Sequence, residues 1–350
     1  MSDANLTATG KAPGLEGKAG GERPSARASG LSFGNTWLRK LALPIALVAL
    51  LGGFALADDR ILTSYNLLNI AQQASYLALF AMAQMVVILT RGFDLSLGPT
   101  VSMVSVGAAL AMMGMGGGEA NGLVVVAAAI LAGFALAVAC GLFNGVVVAL
   151  LGVSPLVATL GSMNIAIGVA TTISDGRPVQ GVPATFSQTF YTGSILGLPI
   201  AIVIAIVVGG ALAFVLSRTV FGRSLYIIGT NPQAAAVAGI PVKRLLVLAY
   251  ILCSALAALG ALMMTARTGS GEPNLGGTLS LQSIAAAVVG GTSLAGGRGG
   301  VATAVLGALF ITILSNGMNL TRIDGYVQMI VLGAIVILGV VLDRLRLDTR

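Results

Sequence analysis

Long apolar segments, separated by short polar stretches, run through most of the chain after residue 37. A bilayer core takes ~20 mostly apolar residues per helix. The pattern therefore predicts ten spans, near residues 38–57, 66–90, 99–117, 122–151, 155–173, 199–217, 245–266, 281–295, 301–318 and 326–342. The eighth is short and flanked by glycine, which favours a broken or re-entrant helix near 281–298 with protein or water around its backbone. We expect an all-α fold, a polytopic transmembrane helical bundle.

The apolar pattern also sets the domain organisation. Residues 1–36 are polar and rich in Gly, Ala and Ser, which predicts a disordered cytoplasmic tail. This stretch is too long for a signal peptide, so 41–57 is expected to stay in the protein as the first membrane helix. Residues 37–345 form the predicted transmembrane domain, with a large cytoplasmic loop at 218–244, and 346–350 form a short tail.

Composition excludes several classes of protein. Of the 350 residues, 56% are hydrophobic and 9% are charged, whereas soluble domains carry about 25% charged residues. Histidine is absent, which removes the commonest general base and metal ligand. The two cysteines, Cys140 and Cys253, are isolated in apolar runs and are expected to be small buried hydrophobes. We expect no catalytic residue, no metal and no cofactor, and an integral-membrane enzyme is disfavoured.

The net charge of +7 is explained by orientation rather than by a nucleic acid partner. With the N-terminus in the cytoplasm, only Arg60, Arg177, Arg267 and Arg322 of the 19 Lys and Arg residues fall outside. Cytoplasmic loops carry the excess of basic residues in membrane proteins. The ten-span arrangement therefore predicts that both termini are cytoplasmic.

The predicted spans hold few ionisable residues, which ion-coupled transporters usually need. The chain also lacks a G-x-x-x-x-G-K-[ST] phosphate loop. If transport is active, the energy should enter through another subunit that docks on the cytoplasmic side. In the 218–244 loop, Asn231 and Pro232 form a helix-start signal and Gly239 a stop, which predicts a short surface helix over 232–238. A loop helix without a partner is the alternative.

Four segments carry a family resemblance. Gln233-Ala234-Ala235, followed by Gly239, is similar to the E-A-A-x-x-x-G coupling pattern of ATP-binding-cassette (ABC) importers, with Gln in place of the usual Glu. Residues 92–98 (GFDLSLG), 286–300 (AAVVGGTSLAGGRGG) and 316–342 resemble segments of the ribose/xylose/galactose-type permeases, the binding-protein-dependent transport system family 2. The resemblance covers about residues 41–345.

The resemblance implies a multi-pass permease of the bacterial inner membrane that imports a monosaccharide. It implies a homodimer of two permease copies in membrane lipid, a cytoplasmic ABC ATPase subunit that hydrolyses ATP, and a periplasmic sugar-binding protein. The residues implied in ATPase coupling are Asn231, Pro232, Gln233, Ala234, Ala235 and Gly239. A nucleoside, polyol, autoinducer or branched-chain amino acid remains an alternative substrate, and a passive facilitator is an alternative from another class.

A polar stripe on the second span supplies candidate path residues. Its positions repeat at steps of three and four residues, so they share one helical face. The stripe consists of Asn66, Asn69, Gln73, Tyr76, Phe80 and Gln84, and Asn316 and Asn319 on the ninth span are similar candidates. These side chains either line the translocation path, offering donors and acceptors to sugar hydroxyls, or form hydrogen bonds between helices.

Two Gly-rich segments, each between an inward and an outward span, contain the remaining family residues. They are Gly92, Asp94, Ser96, Gly98, Gly290, Gly291, Thr292, Ser293, Gly296 and Gly297. Asp94 or Ser96 is expected to cap the following helix by accepting backbone N–H bonds, with a contact to the ATPase or a gate as the alternative. The similar placement of the two segments suggests a weak internal repeat, as in many transporters.

Overall fold

The computed structural model describes residues 35–116 and 122–348, and helices form most of the regular structure in this part of the chain. The helices are α1 (Asn35–Ala57), α2 (Ser64–Leu89), α3 (Leu97–Gly114), α4 (Gly122–Ala149), α5 (Pro155–Ile173), α6 (Ala184–Ser187), α7 (Ile200–Arg218), α8 (Val220–Thr230), α9 (Pro232–Val237), α10 (Val242–Thr268), α11 (Leu279–Val289), α12 (Val301–Leu320) and α13 (Gly325–Asp348). A 3₁₀ helix (Asp59–Leu62) follows α1, and a π-helical turn (Gln188–Thr192) follows α6. The exception to the predicted all-α fold is a small antiparallel hairpin of β1 (Ser194–Ile195) and β2 (Leu198–Pro199).

The chain has the helices of a polytopic membrane protein. Among the described residues, seven helices are long and apolar enough to cross a bilayer: α2, α3, α4, α5, α7, α10 and α12. The apolar parts of α1, α11 and α13 are shorter. Residue 117, at the end of the third predicted span, lies outside the described residues. Most of the predicted tail 1–36 also lies outside them, and its last two residues are the first two of α1. At the other end, α13 continues to Asp348.

Helix α2 lies at the centre of the unit formed by residues 41–350. It packs against α7, α10, α11 and α12, while α4 lies along α10 and α3, and α3 contacts α5. The central α2 has a mean hydropathy of 1.4, against 2.8 for the more exposed α4 and α7. A helix that meets lipid must be apolar on its outer face, whereas a helix enclosed by protein can carry polar groups that find partners.

The α1–α2 connection is held by a local ion pair. Arg60 Nη2 lies 2.6 Å from Asp58 Oδ2, and the same guanidinium donates to the backbone oxygen of Leu320 at the end of α12. The hydrogen bonds from Arg60 hold the pKa of Asp58 at about 2, below its usual value. The connection is thereby fixed to the end of α12.

Between α10 and α12 the chain runs first as an irregular segment, residues 269–278, and then as α11. Because α11 has 11 residues, it is about 16 Å long, roughly half of a bilayer core. Ser280 of α11 accepts from the Gly98 N–H of α3. The irregular segment before it lies antiparallel to α3 and donates two backbone N–H groups to α3 side chains, from Glu272 to Ser105 Oγ and from Gly276 to Ser102 Oγ. Side chains of α3 thus satisfy backbone groups that no helix satisfies, as non-helical backbone inside a membrane requires.

Candidate functional site

A polar cavity of about 260 Å³ opens between α2, α10, α11, α12 and α13. It is lined by Gln73, Tyr76, Leu77, Phe80, Met264, Arg267, Leu279, Gln282, Ile311, Thr312, Ser315, Asn319 and Gln328. Polar lining is costly inside an apolar bundle unless the groups have partners. We call this space the polar cavity.

The α2 wall of the polar cavity is formed by the middle of the predicted stripe. Gln73, Tyr76 and Phe80 share one face of the helix and line the cavity. Gln73 Nε2 donates to Asn69 Oδ1 at 2.9 Å, so Asn69 orients the amide of Gln73. Tyr76 is buried, and its hydroxyl has no hydrogen-bond partner in the described part of the chain. A buried hydroxyl without a partner is costly, and a bound polar solute would satisfy it.

The facing wall is formed by α12 and α13. Thr312, Ser315 and Asn319 are spaced three and four residues apart, so they share a face of α12. Gln328 of α13 donates through Nε2 to Asn319 Oδ1 at 2.8 Å and to the backbone oxygen of Ile323 at 2.9 Å. These bonds hold the amides of both helices at the cavity.

The cavity lining is polar but almost uncharged. Among the described residues that line it, Arg267 at the end of α10 is the only ionisable group apart from Tyr76, and none is acidic. Amides and hydroxyls offer both donors and acceptors, and Phe80 adds an apolar surface beside them. This arrangement suits a small neutral solute with several hydroxyl groups.

Two predicted path residues, Asn66 and Asn316, lie outside the lining of the polar cavity and pair with each other. The Nδ2 of each donates to the Oδ1 of the other, both at 3.0 Å, and Asn66 Nδ2 also donates to the backbone oxygen of Ile61. Both side chains are buried. This pair joins α2 to α12, which fits the alternative expectation of hydrogen bonds between helices.

Gln84, at the inner end of the stripe, is fully buried against the turn that follows α2. With its amide oriented to satisfy both partners, its nitrogen donates to the backbone oxygen of Asp94 at 3.1 Å and its oxygen accepts from the Asp94 N–H at 3.2 Å. Asp94 Oδ1 in turn accepts from the backbone N–H of Ser96, the N-cap of α3, at 3.0 Å. The expected cap is not seen at Ser96, whose side chain makes no capping hydrogen bond to α3, and Asp94 bonds to the N–H of this N-cap residue rather than to an N–H of the first turn. The Ser96 hydroxyl instead bonds to Asp94 and accepts from Asn144 Nδ2 of α4.

The predicted surface helix of the 218–244 loop is confirmed as α9. Asn231 is its N-cap and accepts through Oδ1 from the Ala234 N–H at 3.0 Å, and Pro232 is its first residue. Gly239 follows it with a φ of 80°, the left-handed conformation that glycine adopts readily. Ala235 is buried, whereas Gln233 and Ala234 face outward. The loop therefore presents a short, exposed helix.

The second Gly-rich segment packs against the end of α2 and against Arg91, just before the first segment begins. The backbone N–H of Gly297 donates to the Leu89 oxygen at the end of α2. Gly291, Gly296 and Gly297 have positive φ values, and a Cβ at Gly92, Gly98 or Gly290 would fall within 3 Å of neighbouring atoms. Ser293 Oγ donates to Asp343 of α13 at 2.9 Å, and Thr292 is buried with an unpaired hydroxyl among the described residues. Glycine is therefore needed at these positions either for its backbone conformation or for close packing, and Gly98 packs at a separate place, against Gly276.

Sequence reasoning missed several lining residues: Arg267, Gln282, Thr312, Ser315 and Gln328. The spacing of Thr312, Ser315 and Asn319 was a usable signal, since it repeats the logic that found the α2 stripe. Arg267 gives no such signal, because a charge at the end of a span is normally a boundary residue.

The fold and the site define a polytopic helical membrane protein with a polar cavity enclosed by its spans. The chain belongs to the family described as branched-chain amino acid transport system / permease component, whose model matches residues 66–340. It is a multi-pass protein of the inner membrane.

Three relatives illustrate the similarity. The ribose import permease protein RbsC of Escherichia coli K12 is 37% identical over 314 residues, which cover 89% of this chain and 95% of that protein. The D-allose transport system permease protein AlsC of the same strain is 33% identical over 299 residues, 85% and 89% of the two chains. The galactose/methyl galactoside import permease protein MglC of Haemophilus influenzae is 33% identical over 319 residues, 88% and 95%. No solved structure matches the chain significantly.

Proposed function

We propose that this protein is the permease subunit of an ABC importer and that it forms the membrane path for a monosaccharide. The unpaired Tyr76 hydroxyl in the polar cavity carries the proposal. At about 260 Å³, the cavity is just below the ~300–1,000 Å³ of sites for drug-sized ligands, which suits a small solute. The relatives named for ribose, allose and galactose support the same class of substrate.

A branched-chain amino acid, the substrate in the family description, fits the polar cavity less well. An amino acid carries a carboxylate and an ammonium group, and each needs a partner when it leaves water. Arg267 could pair with the carboxylate, but none of the described residues that line the cavity is acidic and could pair with the ammonium. The neutral amides and hydroxyls favour a neutral sugar or polyol.

The proposal includes a topology and a set of partners. Ten crossings with both termini in the cytoplasm are inferred: the seven long helices, α1, α13, and one crossing made by residues 269–278 together with α11. Residues 37–345 would form the permease domain. The exposed α9 and the loop around it, 218–244, would dock a cytoplasmic ABC ATPase. A periplasmic sugar-binding protein would deliver the solute on the other side, and a second permease copy would complete the complex in the lipid bilayer.

The test is uptake by reconstituted complexes of the permease, its ATPase and its binding protein, with radiolabelled ribose, allose and galactose as probes. We expect uptake that needs ATP, the ATPase and the binding protein. Uptake by the permease alone would identify a facilitator. ATP-driven uptake of leucine but of none of the sugars would refute the sugar assignment.

A further inference from the structure

Three segments of the chain meet at Arg91, the second residue after α2. The guanidinium Nε of Arg91 donates to the backbone oxygen of Gly229 at 2.6 Å, and its Nη2 donates to the oxygen of Thr230. Both oxygens belong to the last turn of α8, where backbone carbonyls receive no hydrogen bond from within the helix. A cation at this end also complements the negative end of the helix dipole. Arg91 therefore ties the end of α2 to the end of α8.

The packing at this junction is as close as backbones allow. A Cβ at Gly229 would lie 1.8 Å from the Leu89 oxygen and 2.3 Å from the Gly297 nitrogen. Only glycine at this position lets the three backbone segments approach so closely. The Tyr226 hydroxyl of α8 adds a hydrogen bond to the Gly299 oxygen at 3.1 Å. The ends of α2 and α8 and the Gly-rich turn after α11 thus form one unit, which we call the Arg91 junction.

The backbone conformation of Arg91 points to a use for its side chain. Its φ is 65°, in the left-handed region that is uncommon for residues other than Gly, Asn and Asp. Glycine would adopt this conformation without strain, but it would lack the guanidinium that bonds to α8. Such strain persists where the surrounding structure fixes it, and it clusters at switch regions.

The Arg91 junction links the exposed coupling loop to the polar cavity. Helix α8 is followed directly by Asn231 and α9, and on the other side of the junction α2 carries Tyr76 and Phe80 while α11 carries Gln282. Phe80 lies nine residues from the end of α2, about 14 Å along a rigid helix. A displacement of α8 and α9 would therefore reach two walls of the cavity through the Arg91 junction.

We propose that Arg91 is a positioning residue that transmits movement of the coupling loop to α2 and α11, and so couples ATP hydrolysis to the shape of the polar cavity. This inference rests on the proposed function of the protein as an ABC importer permease. The planar guanidinium suits the role because it bonds to two carbonyls at once, which a lysine ammonium on a flexible stem does less well.

The test compares wild type, Arg91→Asn and Arg91→Lys in complexes with the ATPase in nanodiscs. Asparagine tolerates a positive φ, so Arg91→Asn removes the guanidinium with little added strain. We expect the ATPase to copurify with Arg91→Asn and its basal rate of ATP hydrolysis to stay within about twofold of wild type. Stimulation of hydrolysis by the sugar-loaded binding protein should fall about tenfold or more, which lies within the usual range of coupling between sites. Arg91→Lys should give an intermediate degree of stimulation. Substitution of a residue with a purely structural role would lower basal and stimulated hydrolysis together.

A second, independent variant disturbs the same junction without changing Arg91. Gly229→Ala inserts a methyl group against Leu89, and Gly53→Ala on α1, where a Cβ would meet nothing within 4 Å, is its matched control. We expect Gly229→Ala to lose stimulation and Gly53→Ala to keep it.

The inference is overturned if Arg91→Asn or Gly229→Ala keeps stimulation and uptake within about twofold of wild type. It is equally overturned if both variants fail to bind the ATPase while Gly53→Ala binds it, because the junction would then serve docking rather than transmission. If wild type itself shows no sugar-dependent stimulation, the proposed function and this inference fall together. If wild type and both variants all show sugar-dependent stimulation of the ATPase, this inference is overturned and the proposed function stands.

Discussion

At the scale of single residues, the sequence predicts which face of α2 is polar but not what each polar group meets. The helical period places Asn66, Tyr76 and Gln84 on one face. The structure gives them three different surroundings: Asn316, the polar cavity and the Asp94 backbone. Helix α2 is surrounded by other helices along its length, so the partner at each level is set by tertiary packing that a single helix does not encode.

Tyr76→Phe should impair transport without destabilising the protein. The hydroxyl is buried and unpaired among the described residues, so its removal costs no hydrogen bond in the free protein and relieves a desolvation penalty. If the sugar bonds to it, the apparent affinity for transport should fall roughly 2–10-fold, the value of one hydrogen bond of about 0.5–1.5 kcal/mol. Uptake kinetics and thermal unfolding in detergent measure the two effects.

Tyr65→Phe is the matched control for this substitution. Tyr65 lies at the start of α2 and is 84% exposed, so its change should leave both transport and unfolding temperature as in wild type. Unchanged uptake by Tyr76→Phe would exclude a contact between the Tyr76 hydroxyl and the sugar.

Asn66 and Asn316 should behave as an energetically coupled pair. Asn66→Ala or Asn316→Ala leaves the other buried amide without its partner, which costs about 1–3 kcal/mol. The double variant removes both groups, so its destabilisation should be smaller than the sum of the single values by about 1 kcal/mol. Unfolding free energies of the four proteins give this coupling, and additive effects would contradict the pairing. Asn164→Ala, an exposed side chain with a bond within its own helix, is the control.

At the scale of helices, local signals predict α9 well and the α10–α12 connection poorly. The Asn cap, the Pro and the following Gly of α9 all act within ten residues. The irregular segment 269–278 depends instead on the hydroxyls of Ser102 and Ser105, more than 160 residues earlier in the chain. The sequence predicts a short eighth span at 281–295, broken or re-entrant near 281–298, but the irregular segment lies before it, at 269–278, and its partners belong to α3.

The N-cap of α9 gives a prediction for docking of the ATPase. Asn231→Ala removes the acceptor of the Ala234 N–H, which should cost about 1 kcal/mol of local helix stability. A helix of six residues has little stability to lose, so we expect weaker ATPase binding, measured by copurification at increasing salt. Asn231→Ser, which can still cap, should bind nearly as well as wild type. Equal binding by all three proteins would contradict a docking role for α9.

At the scale of the whole molecule, the arrangement depends on how the segment between α10 and α12 crosses the membrane. Gly271 is paired with Val179 near the end of α10, and Gly297 is bonded to Leu89 at the far end of α2. Between these points the chain passes Ser105, Ser102 and Gly98 in turn, which is the reverse of the α3 direction. These contacts support the proposal that residues 269–278 traverse one half of the bilayer and α11 the other, rather than re-entering on the same side.

A full crossing predicts that the two ends of this segment face opposite sides of the membrane. Thr268 and Ala295 are both exposed, so a cysteine at either position should react with a thiol reagent. In a background with Cys140→Ala and Cys253→Ala, we expect Thr268→Cys to be labelled in intact cells by an impermeant maleimide and Ala295→Cys only after the cells are permeabilised. Leu196→Cys in the β-hairpin and Val237→Cys in α9 calibrate the two sides, since Leu196 is 99% exposed and Val237 is 91% exposed. The bias of Lys and Arg predicts that 218–244 is cytoplasmic, so Val237→Cys is expected to report the inner side and Leu196→Cys the outer side. Labelling of Thr268→Cys and Ala295→Cys from the same side would show that the segment re-enters, which would change the orientation of α12 and α13 and bring the C-terminus to the periplasm.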